Sequence, residues 1–215
     1  MLCKICQGIT RFLGNPRSER RYYACNECDF IFLDEQYIID KDEERRRYSL
    51  HNNTFENEGY VKMFKDFIEQ VIEPYKHNVS TALDFGCGTT PVLATLLKEK
   101  IPTVHHYDPY FYPNQELKDA TYDVITATEV LEHLKDPLFH MRKLVDLLAP
   151  GGLIGIMTLF HPRNDEEFLT WWYRKDETHI AFYSEKTFDV ISKILGITIV
   201  YCNDKNHCLL QKQTT

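Results

Sequence analysis

The sequence predicts an α/β fold: a mostly parallel sheet with helices on both faces, carrying a small cysteine-rich module at its N-terminus. Three observations predict it. The run Leu83-Asp84-Phe85 breaks into the turn Gly86-Cys87-Gly88, the strand-to-turn punctuation of a nucleotide-type loop. A second β-prone run, Thr103 to Tyr107, ends at Asp108, 20 positions after Gly88, where such folds place an acid for ribose hydroxyls. Ahead of both, Cys3-x2-Cys6 and Cys25-x2-Cys28 stand eighteen residues apart, a zinc-ribbon spacing.

Each cysteine pair fits a tight turn, so that two thiolates from each turn converge on one tetrahedral ion. Gly14-Asn15-Pro16 reads as a turn between short strands, and Tyr22-Tyr23-Ala24 and Phe30-Ile31-Phe32 are β-prone flanks. Four cysteine ligands leave no open coordination position, so Zn²⁺ bound by Cys3, Cys6, Cys25 and Cys28 is expected to be structural. Disulfides are the alternative, disfavoured by the lack of a secretory leader. Cys87 reads as a small residue in a tight loop, and Cys202 and Cys208 as strand residues. The expected organisation is a ribbon over 1–33, a linker with N-terminal helices over 34–80, and the main domain over 81–215.

Residues 34–50 are charge-rich, and Glu43, Glu44, Arg45, Arg46 and Arg47 can pair at helical spacing. Gly59 to Tyr75 is amphipathic, with Val61, Phe64, Phe67, Ile68, Val71 and Ile72 on one side. Thr90 is placed to cap a helix whose first position is Pro91. Asp123 to Glu129 reads as a buried strand continuing into Val130-Leu131-Glu132-His133-Leu134. Asp136 and Pro137 open a helix carrying Leu138, Met141, Leu144, Val145 and Leu148, which Pro150-Gly151-Gly152 stops. Leu153 to Thr158 is the next strand. Glu185 to Leu195 is a helix closed by Gly196. Ile197–Cys202 and His207–Gln211 form a hairpin around Asn203-Asp204-Lys205-Asn206.

Asp84 sharpens the cofactor reading. A carboxylate before the first glycine repels a pyrophosphate and suits the ammonium group of S-adenosylmethionine. Pro91 stands where the dinucleotide fingerprint has its third glycine, which argues against NAD.

Asp84-Phe85-Gly86-Cys87-Gly88, Tyr107-Asp108-Pro109, Glu129-Val130-Leu131-Glu132-His133-Leu134 and Leu148-Ala149-Pro150-Gly151-Gly152, taken together, resemble a class I S-adenosylmethionine-dependent methyltransferase. The resemblance is to the small-molecule branch that includes ubiquinone-biosynthesis-like enzymes, and it spans roughly Thr81 to Lys212. It implies a Rossmann-like sheet of seven strands, the last antiparallel. It also implies a cofactor site of Asp84, Phe85, Gly86, Cys87, Gly88, Asp108, Pro109, Thr128 and Glu129. N-terminal helices often cover the cofactor in such enzymes, which makes Tyr48, His51, Asn52 and Tyr60 lid candidates. The sequence departs from the pattern where a further strand and an acidic adenine-binding loop belong. Only Pro109 to Tyr122 is available there, so Tyr110, Phe111 or Leu117 is the candidate adenine wall.

Methyl transfer needs an aligned acceptor, excluded water and, for hydroxyl or carbon acceptors, a base. His133, His161 and His179 follow strands or fall in the insertion after the fifth, so they are the candidate bases. Trp171, Trp172, Tyr173 and Tyr183 are candidate walls for a planar or apolar acceptor.

The 215 residues suit one α/β domain with an appendage, and a hydrophobic share of 43% suits a globular core. No apolar run reaches membrane-spanning length, and a cytoplasmic location is expected. The net charge of −7 disfavours a broad nucleic-acid surface. A small-molecule acceptor is therefore the leading reading. RNA methylation is the alternative, with Arg11, Arg17, Arg20, Arg21, Tyr22 and Tyr23 as the recognition patch. A non-catalytic subunit that binds S-adenosylmethionine and docks a partner through its ribbon is the third reading.

Overall fold

The computed structural model describes residues 1–14, 20–50, 52–113 and 121–214. Its centre is a mixed six-stranded sheet in the order β5-β4-β6-β7-β10-β9. The strands are β4 (Thr81–Phe85), β5 (Thr103–Tyr107), β6 (Tyr122–Thr128), β7 (Leu148–Met157), β9 (Ile197–Cys202) and β10 (His207–Lys212). The first four are mutually parallel, and β10 runs antiparallel to both of its neighbours. The α/β class and the antiparallel last strand are as expected. The strand count of the central sheet among the described residues is six rather than seven.

Strand alternation sends side chains to two cores. Leu83, Ile125, Ile154, Ile156 and Leu210 face α4 (Pro137–Asp146) and α6 (Glu185–Leu195). Ala82, Val124, Leu153, Met157 and Leu209 face α2 (Glu58–Phe67) and α3 (Val92–Leu97). Past Phe67, α2 becomes one π turn over Ile68–Ile72, which keeps Ile68, Val71 and Ile72 buried against the sheet. Gly155 permits this approach: a Cβ there would lie 2.7 Å from Ile72 Cδ1 and 3.1 Å from Phe67 Cζ.

Local caps explain the other boundaries. Ser184 and Thr187 form a capping box on α6, and Gly196 ends that helix at φ +65°. Asp136 accepts from Phe139 N at 3.2 Å to open α4. Pro150-Gly151-Gly152 does not precede β7 but lies within it, with Gly151 at φ +77° and a register shift against β6 between Tyr122 and Val124. Thr90 does not cap α3. Pro91 holds the cap position, and Asp84 Oδ2 reaches from β4 to accept from Ala94 N at 3.2 Å.

The cysteine-rich segment forms an antiparallel sheet of β1 (Thr10–Leu13), β2 (Tyr22–Cys25) and β3 (Ile31–Leu33). Its fourth strand, β8 (Ala181–Phe182), comes from the far end of the chain. The expected boundary at residue 33 therefore runs through a continuous sheet. Thr187 Oγ1 donates to the Cys28 carbonyl at 2.9 Å, and Phe30, Tyr183 and Phe188 stack in the seam. In the chain, α1 (Lys41–Tyr48) follows β3 and α5 (Asp165–Thr170) follows β7. Glu43 pairs with Arg46 and Arg47 on α1, and Arg47 continues to Glu177 at 2.5 Å.

Candidate active site

At the carboxyl end of β4 the chain turns through Gly86 and Gly88, both at positive φ (79° and 67°). Gly86 N and Cys87 N donate to the Tyr107 carbonyl at 2.8 and 3.1 Å, tying the turn to β5. Asp108 organises both loops. Its Oδ2 accepts from Gly88 N at 3.1 Å, and its Oδ1 accepts from Tyr110 N and Phe111 N at 2.8 and 3.1 Å. A Cβ on Gly86 would lie 2.3 Å from Val130 Cγ2. Gly86→Ala is therefore expected to combine left-handed strain with overpacking and to destabilise the fold by about 2–4 kcal/mol. Denaturant unfolding measures the loss, and a shift within error of wild type would contradict this account of the turn.

Asp84 does not face the cleft. It is 2% exposed, and its oxygens accept from Ala94 N and Thr126 Oγ1, both at 3.2 Å. It braces the loop from behind through these two hydrogen bonds. Burial is the main cause that pushes its carboxyl up to about 7.

A cleft of about 1720 Å³ opens over this loop. Phe85, Gly86, Cys87, Gly88, Asp108 and Pro109 form one side of it, and Thr128 and Glu129 form the floor. Tyr48, Tyr60 and Met63 cover it from α1 and α2. Glu44 fastens the cover: Tyr48 donates to its Oε1 at 2.7 Å, and Tyr110 donates to its Oε2. Burial, and then the Glu44 charge, pushes the Tyr48 phenol well up. Tyr110 and Phe111 line the cleft beside Asp108. His51 and Leu117 lie outside the described residues.

At the far end of the cleft, β6 terminates in Glu129, a non-glycine residue at φ +54°. A single turn then carries Leu131–His133. Glu132 is fully buried, and its Oε1 accepts from Tyr173 Oη at 2.6 Å; the same hydroxyl lies 3.3 Å from Glu129 Oε2. Glu129 keeps solvent exposure into the open cleft, and partial desolvation, then the Glu132 charge, raise its carboxyl above the ordinary range. His133 Nδ1 lies 3.0 Å from the Thr178 carbonyl, and His179 Nδ1 lies 2.8 Å from the Tyr173 carbonyl. Burial, and then His133, pulls the His179 imidazole below its usual value. His133 and His179 both line the cleft.

The remaining acceptor-side candidates lie outside the cleft lining. His161 lies away from the cleft, its Nδ1 and Nε2 2.9 and 2.8 Å from the carbonyls of Pro162 and Asp29, where it joins β7 to the cysteine-rich sheet. Trp171 packs on Phe168 and Phe182 under that sheet, and Trp172 is 66% exposed. Tyr183 is fully buried and donates to the Leu131 carbonyl at 2.8 Å. Tyr173 stands behind the cleft wall as the donor that holds Glu132. Sequence reasoning missed Glu132 and Glu44. The signal for the first was Glu129-x2-Glu132-His133, two acids and a histidine at a sheet's carboxyl edge; Glu44 carried none beyond its helix charge.

The four expected metal ligands converge. Cys3 Sγ is 3.5 Å from Cys28 Sγ, and Cys6 Sγ is 3.4 Å from Cys25 Sγ and 3.6 Å from Cys28 Sγ. Zn–S bonds of about 2.3 Å give a tetrahedral sulfur–sulfur edge of about 3.8 Å, so the donor set fits. Each turn also aims an amide at sulfur: Ile5 N donates to Cys3 Sγ at 3.3 Å and Glu27 N to Cys25 Sγ at 3.4 Å. Gln7 and Asp29, each following the second cysteine of its pair, sit at φ +61° and +60°.

Arg20 ties this module to the cleft. Its guanidinium donates to the carbonyls of Arg174, Asp176 and His179 at 3.0, 3.3 and 3.3 Å. Arg20→Ala is expected to leave the fold intact and to lower turnover about 100-fold by loosening the His179 loop. Circular dichroism and steady-state kinetics check both halves.

Comparison with known proteins places this arrangement. A family profile described as "Methyltransferase domain" matches residues 3–201. The ubiquinone biosynthesis O-methyltransferase of Vibrio parahaemolyticus is 44% identical over 50 residues, 23% of this chain and 20% of that protein. Its counterpart in Vibrio cholerae is 32% identical over 89 residues, 41% of this chain and 36% of that protein. The matches thus span well under half the length of these curated relatives. The solved magnesium protoporphyrin IX methyltransferase of Synechocystis, with bound SAH, superposes with a TM-score of 0.54 at 13% identity, covering 83% of this chain and 97% of that one. That likeness establishes a shared fold.

Proposed function

The chain belongs to the methyltransferase-domain family matched over residues 3–201, and from that premise we propose that it methylates an oxygen of a small molecule using S-adenosylmethionine. The observation that carries this reading is one cleft lined both by the Gly86–Gly88 turn with Asp108 and by Glu129, His133 and His179. S-adenosylmethionine supplies a methyl group on positive sulfur, so that the carbon–oxygen bond forms as the carbon–sulfur bond breaks and its electron pair stays on sulfur. The protein aligns the acceptor, excludes water and takes the hydroxyl proton. Tyr48 and Tyr60 close the cleft over the glycine turn. The cluster of Glu129, Glu132, His133 and His179 receives the proton. A hydroxyl acceptor needs this help, whereas an amine of favourable pKa does not.

For the RNA reading, Arg17 lies outside the described residues, and two other arginines of the patch are engaged within the fold. Arg20 is bound to three carbonyls, and Arg11 forms a bidentate pair with Asp165 at 2.6 and 2.7 Å. We assign the four cysteines a structural Zn²⁺, which anchors the sheet that carries Arg20. Calorimetric titration with S-adenosylmethionine tests the cofactor half: micromolar binding of one equivalent is expected, and no binding at millimolar ligand refutes it.

A further inference from the structure

The last two strands carry one cysteine each, and the ladder sets them side by side. Cys202 of β9 and Cys208 of β10 are partners in the antiparallel register, so both side chains leave the same face of the sheet. That face packs towards α4 and α6: Cys208 is fully buried in its cluster, and Cys202 lies half-buried against it. The register also fixes the spacing. One pair further on, Asn203 N donates to the His207 carbonyl at 3.0 Å, which makes Asn203–His207 a hydrogen-bonded pair. Pair types alternate along an antiparallel ladder, so Cys202–Cys208 is a non-hydrogen-bonded pair, the kind whose Cα atoms stand only about 4.5 Å apart with side chains at their closest. Disulfides span Cα separations of about 4.4–6.8 Å, so the ladder already supplies the backbone spacing that this bond needs. The two thiols are chemically unequal. The neighbouring Cys208 thiol lowers the Cys202 thiol from its ordinary value, against burial and the Glu185 charge. The same contact, and then burial, raises Cys208 well above its ordinary value. The more exposed sulfur is thus the one biased to thiolate, and the sheltered one keeps its proton.

We propose that Cys202 and Cys208 form a peroxide-oxidised dithiol, which closes a reversible disulfide across the β9–β10 hairpin. The Cys202 thiolate attacks one oxygen of hydrogen peroxide; the oxygen–oxygen bond breaks, hydroxide leaves, and Cys202 becomes a sulfenic acid. The Cys208 sulfur then attacks the Cys202 sulfur. The sulfur–oxygen bond breaks, and the departing hydroxide takes the Cys208 proton and leaves as water. Two sulfurs are oxidised together by two electrons, and the peroxide is reduced to water. Two equivalents of a low-molecular-weight thiol reverse the step by exchange and leave as their own disulfide. The bond pins a turn that other backbone depends on. Thr158 N and Phe160 N donate to the Asn206 and Lys205 carbonyls at 3.0 and 2.8 Å, so the hairpin turn holds the segment that leaves β7. In β7 itself the Met157 carbonyl accepts from Glu129 N at 2.8 Å, which places the crosslink at the cleft end of the sheet. The proposal stands independently of methyl transfer.

The test treats the full chain, loaded with Zn²⁺, with a modest excess of hydrogen peroxide, blocks the remaining thiols with iodoacetamide, and maps the peptides without reduction. A peptide pair joining Cys202 to Cys208 is expected, with an intact mass lower by two hydrogen atoms before blocking, and dithiothreitol should reverse both. Hydrogen exchange at the Asn203, Thr158 and Phe160 amides should slow about tenfold in the oxidised chain. Cys208→Ala should stop at the sulfenic acid on Cys202, trapped by dimedone, and Cys202→Ser should lose no hydrogens. Near-ultraviolet circular dichroism confirms that each variant is folded; Cys202→Ser, at the half-buried position, serves if Cys208→Ala is not. Absence of the joined peptides from wild type overturns the proposal, whether the thiols stay reduced or other cysteines oxidise instead. Loss of two hydrogens from folded Cys202→Ser overturns the assignment to this pair, and unchanged exchange in the crosslinked chain overturns the pinning of the turn.

Discussion

Removing the metal from the four-cysteine site is expected to unfold the N-terminal sheet and to silence the distant cleft with it. Cys3, Cys25 and Cys28 belong to the same buried cluster as Phe30, Tyr183 and Phe188, so the proposed ion would sit at the seam between two sheets. Structural Zn²⁺ contributes roughly 10–16 kcal/mol in small domains, comparable with the whole stability of a typical protein. The damage has a defined route. Leu33 N donates to the Ile180 carbonyl at 2.9 Å, and Ile180 N donates to the Glu132 carbonyl at 2.8 Å. The β3–β8 pairing thus leads directly to the backbone of Glu132 in the acceptor cluster, while Arg20 holds the His179 loop. Hydrogen exchange after chelation should show loss of protection at Leu33, Ile180 and His161, with β4 and β6 still protected. Cys25→Ser should reproduce the pattern. Full protection of Leu33 and Ile180 in the metal-free chain would contradict the role given to the cysteines.

Asp84→Asn is expected to stabilise the ligand-free protein above neutral pH. The folded carboxyl titrates near 7, against an ordinary value of 3.8, because burial outweighs its two hydrogen bonds. Below about pH 4 the group is protonated folded or unfolded and contributes no pH dependence. Between about pH 4 and 7 the folded state keeps a proton that the unfolded chain has lost. Stability therefore falls as pH rises through this window, by about 1.4 kcal/mol per pH unit and by about 4 kcal/mol in total. Asparagine retains an acceptor for Ala94 N and a donor for Thr126 Oγ1, and it does not titrate. The difference in unfolding free energy between the variant and wild type should grow from about pH 4 to about pH 7 and level off above that. A constant difference would mean that Asp84 is charged throughout.

The fold was legible where local chemistry sets it. Ser184 and Gly196 bracket α6, and the apolar runs around Leu83, Val124 and Ile154 are strands because both of their faces are buried. β8 was not legible. It is two residues long, and it exists because Ile31 and Phe32 offer it an edge some 150 positions away. The same long-range pairing misled the acceptor assignments. His161 stands at the end of β7 as a catalytic histidine would, but the Asp29 carbonyl claims its Nε2. Trp171 and Tyr183 are aromatic in a suitable place, but the cysteine-rich sheet needs them as core. The glycine turn and Asp108 were readable because backbone conformation demands those residues locally. Glu132 was hidden in a stretch whose apolar neighbours, Val130 and Leu131, read as ordinary strand. Asp84 was recognised as special, but its burial against Ala94 and Thr126 was not, since sequence does not say which side of a loop a carboxylate faces.

The most direct measurement is methyl transfer from labelled S-adenosylmethionine into a cell extract, with products separated by size and nuclease sensitivity. Wild type is predicted to place label in the small-molecule fraction, on oxygen, and His133→Ala to reduce it at least 100-fold. Label in nuclease-sensitive polymer would contradict the account, and so would no label from a chain shown to bind S-adenosylmethionine.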